Sequence, residues 1–292
     1  MIAWSDVTAA EVERACAEGR LITAGPLNNT YAVTLRRRPV FIRHRVVHDL
    51  EYGQTFAAER FVYGLLGPSV NVPRLLFFCE GGEESAYAGF EYLVEEPTDW
   101  SAPSSLTGLA TVLAAVHEVT GQRLGNADGG VGAGTDVVPF LRDLFENELQ
   151  RAPSELLREV GDDRLRGWIG ETETLFEGEP VTLCHGDVRD ANIVTDQAGR
   201  NWLVDWEAAR FRVPAADFNQ MHYDWLTASQ EKAVLEHYME LTGRDLNLFA
   251  RQIRSLRILW HLRTMNFYLL VHRQSFTQQH RHRRLLNELL PC

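Results

Sequence analysis

The chain has 292 residues, 45% of them hydrophobic and 24% charged, a balance that suits a globular protein large enough for two lobes around a cleft. Its net charge of −11 argues against a nucleic-acid partner, which would require a basic face. No apolar run approaches the roughly 20 residues needed to cross a bilayer.

Thr8 to Glu11 has capping-box spacing and opens a short helix that stops near Gly19. Two strand-like runs follow, Thr30 to Leu35 and Val40 to Val46, joined through the polar turn Arg36-Arg37-Arg38-Pro39. A helix from about Leu50 to Leu66 carries the stripe Phe56, Glu59, Tyr63, Leu66 and ends at Gly67-Pro68. Two further strands, Arg74 to Cys79 and Tyr87 to Val94, flank the turn-rich Gly81 to Glu84. Beyond Pro97, Leu106, Leu109, Leu113, Val116 and His117 line one helix face, and helical patterning continues from Val138 to Leu175. Val181 to Trp206 is a strand-loop-hairpin island, and from Ala215 onward the pattern is helical again. The expected fold class is α+β: a small antiparallel sheet lobe with one key helix over residues 1–96, and a larger, mostly helical lobe over 97–292 with a cleft between them.

The N-terminal residues Met1 to Asp6 lack the character of a secretion signal, and a cytoplasmic location is expected. Cys16, Cys79, Cys184 and Cys292 have neither metal nor disulfide spacing and read as reduced thiols. Lys232 is the only lysine. A cation that grips phosphate must therefore be an arginine, unless Lys232 serves.

The chemistry concentrates in Leu183-Cys184-His185-Gly186-Asp187-Val188-Arg189-Asp190-Ala191-Asn192, followed by Trp202-Leu203-Val204-Asp205-Trp206-Glu207. Asp187 sits on a loop after a short apolar strand. Asn192 lies five residues on, and the hairpin through Asp196 to Arg200 returns Asp205 to the same edge. Hard oxygen donors in a pair suit Mg²⁺, which takes its remaining ligands from phosphate and water. Phosphoryl transfer needs little more than an acceptor for the hydroxyl proton, metal on the phosphates and a cation to cradle them. Asp187 fits the first role; Asn192 and Asp205 fit the second.

His-Gly-Asp-x-x-x-x-Asn followed by a strand ending in Asp resembles the aminoglycoside phosphotransferase and choline kinase family, which has a bilobal protein-kinase-like fold. The resemblance implies Asp187 as catalytic base and Asn192 and Asp205 as magnesium ligands. It also implies that Asp217, in Val213 to Phe218, is a buried residue that holds the catalytic loop. Gly25 to Tyr31 resembles the nucleotide-covering loop, with Asn28 and Thr30 against the phosphates. Arg43 takes the position of the phosphate-binding strand lysine, with Arg45 as the competing choice, and Glu59 (or Glu51) orients it. Tyr92 to Glu96 resembles the hinge that binds the base, which assigns Glu95 and Glu96 to the nucleotide site.

His185 reads as a loop hydrogen-bonding residue rather than a catalyst. Asp190, Glu207, Tyr223, Trp225 and Trp260 are candidates for the acceptor side, against ordinary surface or core roles. The run His280 to Arg284 reads as a solvated helix face. The expected function is transfer of the γ-phosphoryl of ATP or GTP, with Mg²⁺, to a hydroxyl of an antibiotic, aminoglycoside-like or nucleoside-type, by a monomer or homodimer. The alternatives are a choline or metabolic-alcohol kinase, or a catalytically silent nucleotide-binding module.

Overall fold

The computed structural model describes residues 4–25, 28–45, 56–66, 70–81, 85–126, 136–152, 154–221, 225–271 and 276–290. The Thr8 side chain accepts from the Glu11 backbone while Glu11 reaches back, which starts α1 (Ala9–Glu18). Three strands follow: β1 (Arg20–Ala24), β2 (Asn28–Leu35) and β3 (Arg38–Arg45). β1 was not expected from the sequence. All five of its residues are exposed, so it lacks the alternation that marks a half-buried strand and owes its form to pairing with β2. The turn between β2 and β3 is tighter than the sequence suggests. Arg36 and Arg37 take positive φ of 51° and 65°, a two-residue connection whose twist matches that of the strands.

With α2 (Phe56–Leu65), β4 (Leu75–Gly81) and β5 (Ser85–Glu91), these form a five-stranded antiparallel sheet of order β1-β2-β3-β5-β4. Val12 of α1 packs on Val33, Leu35, Val40, Ile42, Phe77 and Tyr87. Phe56 clusters with Ala88 and Phe90. The expected beginning of α2, before residue 56, lies outside the described residues.

Helices dominate the rest: α3 (Pro103–His117), α4 (Val137–Arg151), α5 (Ser154–Val160), α6 (Asp162–Phe176), α7 (Ala228–Thr242), α8 (Leu246–Val271) and α9 (Phe276–Leu289). The helical stretch expected over 138–175 is thus three helices, with Gly161 at φ 94° between the second and third. Leu106, Leu109, Leu113 and Val116 of α3 are buried with Leu183, Leu203, Trp206, Phe218 and Tyr238 in one core. A second core joins Phe145, Leu149 and Trp168 to Ile258, Leu262 and Leu286.

Short strands carry the loop region: β6 (Glu95–Glu96), β7 (Gly125–Asn126), β8 (Thr182–Cys184), β9 (Ile193–Asp196), β10 (Asn201–Leu203) and β11 (Arg210–Arg212). They make two three-stranded sheets, β10-β9-β6 and β7-β11-β8. Among the described residues no helix is long and apolar enough to cross a membrane.

Candidate active site

β8 delivers the chain to His185, and Asp217 sets the path from there. Its buried carboxylate accepts from the backbone N–H groups of His185 at 2.7 Å and Gly186 at 2.8 Å. The His117 Nε2 atom lies 3.1 Å from the same carboxylate, and the His117 Nδ1 atom lies 2.8 Å from the Tyr238 hydroxyl. Burial opposes ionisation of Asp217, but the His117 hydrogen bond and neighbouring charge outweigh it and hold its pKa below the ordinary value. Gly186 has φ +81°, and a Cβ there would stand 2.3 Å from the Ala208 carbonyl oxygen. Only glycine fits both the turn and that approach.

This clamp presents Asp187. Its Oδ2 accepts from Asn192 Nδ2 at 2.9 Å, and the same amide nitrogen bonds the Asp187 carbonyl at 2.8 Å. The Asp187 side chain remains 31% exposed, and Arg189 Nε lies 3.1 Å from Oδ2. His185 is fully buried. Its Nε2 lies 2.9 Å from the Val204 carbonyl, and its Nδ1 accepts from the Asp187 backbone at 3.3 Å. It organises the loop, as expected.

A second cluster gathers around Arg43. Arg43 on β3 pairs with Glu59 of α2 at 2.5 Å, with Asp205 at 3.0 Å and with Glu207 at 3.1 Å. Glu59 therefore meets Arg43; the alternative acid, Glu51, lies outside the described residues. Glu59 also accepts from the Trp206 backbone at 3.2 Å, which ties α2 to the segment that bears Asp205. Asn28 donates to Glu207 at 2.6 Å, so its amide holds a carboxylate of the cluster. Thr30 faces Arg43 across the β2–β3 ladder.

Three acids thus surround one buried guanidinium. Burial pushes Glu59 up to about 7; Arg43 opposes this, and Asp205 and Glu207 reinforce it. Burial and Asp205 likewise raise Glu207 against the pull of Arg43. Among the described residues, buried Glu59 Oε2 has no hydrogen-bond partner, and Asp205 Oδ1 touches Arg43 without hydrogen-bond alignment. Asn192, with its amide nitrogen spent on Asp187, offers its carbonyl oxygen. Open carboxylate oxygens and an amide oxygen are a donor set that fits Mg²⁺. Asn192 and Asp205 would hold the ion, which when bound neutralises phosphate charge. Lys232 pairs with Glu236 on the surface of α7; Arg43 is the cation that contacts all three acids, while Arg45, likewise buried, also pulls on Glu207.

Asp190 accepts from Trp100 Nε1 at 2.6 Å, and the Trp100 and Trp225 rings meet edge-on at 4.5 Å. Gln230 of α7 donates to the Trp100 carbonyl at 2.8 Å. Trp225 and Asp190 therefore share a wall, whereas Trp260 makes its ring contacts with His261 and His282. Tyr223 lies outside the described residues. Glu95 and Glu96 are exposed and pair with Asp196 and Thr195 of β9, which occupies one edge of that strand. Sequence reasoning missed Trp100, Arg189 and the His117–Tyr238 pair. Only Arg189 had a readable signal, a cation two residues after Asp187.

The profile of the phosphotransferase enzyme family matches residues 18–251. A 3-deoxy-D-manno-octulosonic acid kinase of Xylella fastidiosa (strain M23) is 32% identical over 92 residues, 32% of this chain and 35% of that protein. The chain thus matches about a third of the length of such curated relatives. A thermostable aminoglycoside phosphotransferase APH(4)-Ia, solved with ADP and hygromycin B, superposes with TM-score 0.70 at 16% identity over 98% of both chains. A putative fructosamine-3-kinase from Haemophilus somnus 129PT gives TM-score 0.65 at 16% identity, over 97% of this chain and 98% of its own. A macrolide 2'-phosphotransferase from Brachybacterium faecium gives 0.64 at 18%, over 93% and 91%. These structural likenesses establish the bilobal kinase-like fold, and with the profile match across most of its length the chain belongs to the phosphotransferase enzyme family.

Proposed function

We propose that this protein is a small-molecule kinase that transfers the γ-phosphoryl of ATP or GTP to a hydroxyl, with the nucleotide between a lobe of residues 1–96 and one of 97–292. The observation that carries the reading is that Asp187 and Asn192 are tied, through the Val204 N–H bond to the Asn192 carbonyl, to the segment bearing Asp205, which with Glu59 holds Arg43. Asp187 orients the acceptor hydroxyl and takes its proton; its second oxygen, Oδ1, is the one not engaged by Asn192 or Arg189. Arg43, held by Glu59, steadies the phosphates, while Asn192 and Asp205 hold Mg²⁺. Glu207, fastened to Asn28, tethers β2 to this cluster.

The acceptor enters along Trp100, Trp225 and Asp190. We place it among antibiotics, in line with the aminoglycoside and macrolide phosphotransferases that share the fold, so that its phosphorylation confers resistance. After Asp245 the chain has a single acid, Glu288, among many arginines. This favours a neutral, nucleoside-type acceptor over a polycationic one.

The test is a mass-spectrometric screen of pooled antibiotics and metabolic alcohols with Mg²⁺ and either ATP or GTP. The expected product is heavier by one phosphoryl group, and its formation falls on the order of 10²- to 10⁴-fold with Asp187→Asn. An Asp187→Asn variant that turns over at the wild-type rate would refute the assignment of the base.

A further inference from the structure

Phosphoryl transfer places most of its demand on charge neutralisation at the γ-phosphoryl oxygens. Arg43 is ill placed to meet that demand alone, since it already faces Glu59, Asp205 and Glu207, and buried Arg45 also pulls on Glu207. Another guanidinium stands at the base itself. Arg189 Nε lies 3.1 Å from Asp187 Oδ2, and its side chain is 53% exposed. Among the described residues its two terminal nitrogens have no protein partner. The loop beneath it is fixed, with Gly186 clamped by Asp217 and Asp187 clamped by Asn192.

Resting on the kinase reading above, we propose that Arg189 is a further catalytic residue: its guanidinium turns from Asp187 to the γ-phosphoryl group and neutralises it during transfer. The distances follow from the chemistry. A hydroxyl bonded to Asp187 lies about 2.6–3.2 Å from it, and a reacting phosphorus lies about 3–3.5 Å beyond. The phosphoryl oxygens therefore fall within roughly 6 Å of Asp187, inside the sweep of a side chain that already touches that residue. In the step, the hydroxyl oxygen forms a bond to the γ-phosphorus and its proton passes to Asp187. The bond from phosphorus to the β–γ bridging oxygen breaks, and the nucleoside diphosphate departs with that electron pair. Two parallel N–H donors on the phosphoryl oxygens suit a guanidinium better than an ammonium.

The test compares wild type, Arg189→Ala and Arg189→Lys in the presence of Mg²⁺, and needs no knowledge of the acceptor. Calorimetry measures affinity for ADP and GDP with and without aluminium fluoride, which mimics the phosphoryl group in flight. Release of inorganic phosphate from ATP and GTP, with water as acceptor, gives kcat and KM. The expected result is that Arg189→Ala binds diphosphate within about threefold of wild type, which shows a folded site. The same variant loses on the order of 10²-fold or more of the affinity gained with aluminium fluoride, and a similar factor in kcat, at unchanged KM. Arg189→Lys recovers part of both. An alanine variant with the wild-type fluoride gain and rate overturns the role of Arg189 and leaves the kinase reading intact. A wild-type protein with no fluoride gain and no phosphate release overturns both.

Discussion

Replacing Asp217 by asparagine tests the foundation of the catalytic loop. The carboxylate accepts from two backbone N–H groups at 2.7 and 2.8 Å and contacts His117 at 3.1 Å, with 3% of the residue exposed. An asparagine has one oxygen and turns an NH₂ group towards the second N–H, so one buried donor loses its acceptor. That loss costs about 1–3 kcal/mol, and the weakening of charge-assisted bonds to neutral ones adds about 1 kcal/mol. A total of about 3 kcal/mol lowers Tm by roughly 6–12 °C in a protein of this size. Because its folded pKa is depressed, Asp217 supplies stability above its ordinary value of 3.8 and loses it as pH falls through the folded pKa. The gap between wild type and Asp217→Asn should therefore narrow in strong acid. Scanning fluorimetry at pH 7.5 and at pH 2 to 2.5 reads both effects. Displacement of Asp187 should also reduce kcat by about 10²-fold, with nucleotide affinity retained because Arg43 and Asp205 are untouched. A variant that melts within 2 °C of wild type and keeps its kcat would refute the clamp.

Two further outcomes are expected. Gly186→Ala places a Cβ 2.3 Å from the Ala208 carbonyl at φ +81°, which combines a backbone clash with left-handed strain of about 1–2 kcal/mol. It should abolish turnover while Gly178→Ala, also at positive φ but with no atom near its Cβ, costs only the strain; equal Tm losses would refute the steric argument. Burial, with His282 and nearby arginines, lowers the His261 pKa from 6.5 to about 3. The folded ring stays neutral while the unfolded one protonates. The stability it contributes is complete above pH 6.5 and is lost as pH falls, at up to about 1.4 kcal/mol per unit. Urea midpoints between pH 7 and pH 4.5 should fall more steeply for wild type than for His261→Gln; parallel slopes would show that the ring is not responsible.

The parts of the site that were legible in the sequence are those the chain keeps close together. Asp187 and Asn192 lie on one loop, and the β9–β10 hairpin brings Asp205 back beside them through the Val204 bond to the Asn192 carbonyl. The Arg43–Glu59 pair was legible only through family resemblance, because strand and helix periodicity alone leaves Arg45 as eligible as Arg43. Contacts across long separations left no trace. Trp100 meets Asp190 across 90 positions and Asn28 meets Glu207 across 179, and neither pair has a spacing or pattern that links its members. β1 escaped for another reason: an exposed strand has no buried face to imprint its alternation on the sequence.

The cluster of acids around Arg43 shows why such a site has to be read in three dimensions. Glu59 comes from α2, Asp205 from the end of a hairpin and Glu207 from the turn after it, and each in isolation reads as one charge among many. Together they crowd around Arg43, with buried Arg45 also pulling on Glu207, and burial, reinforced by repulsion among the acids, raises the proton affinity of Glu59 and Glu207. A divalent cation at Asn192 and Asp205, as proposed above, would meet the open Asp205 oxygen and lower the negative charge that Glu59 and Glu207 feel. On the kinase reading proposed above, Mg²⁺ offsets the acids and the phosphates offset the metal. On that reading the same acids favour a metal–nucleotide complex over the free nucleotide, whose negative charge they repel.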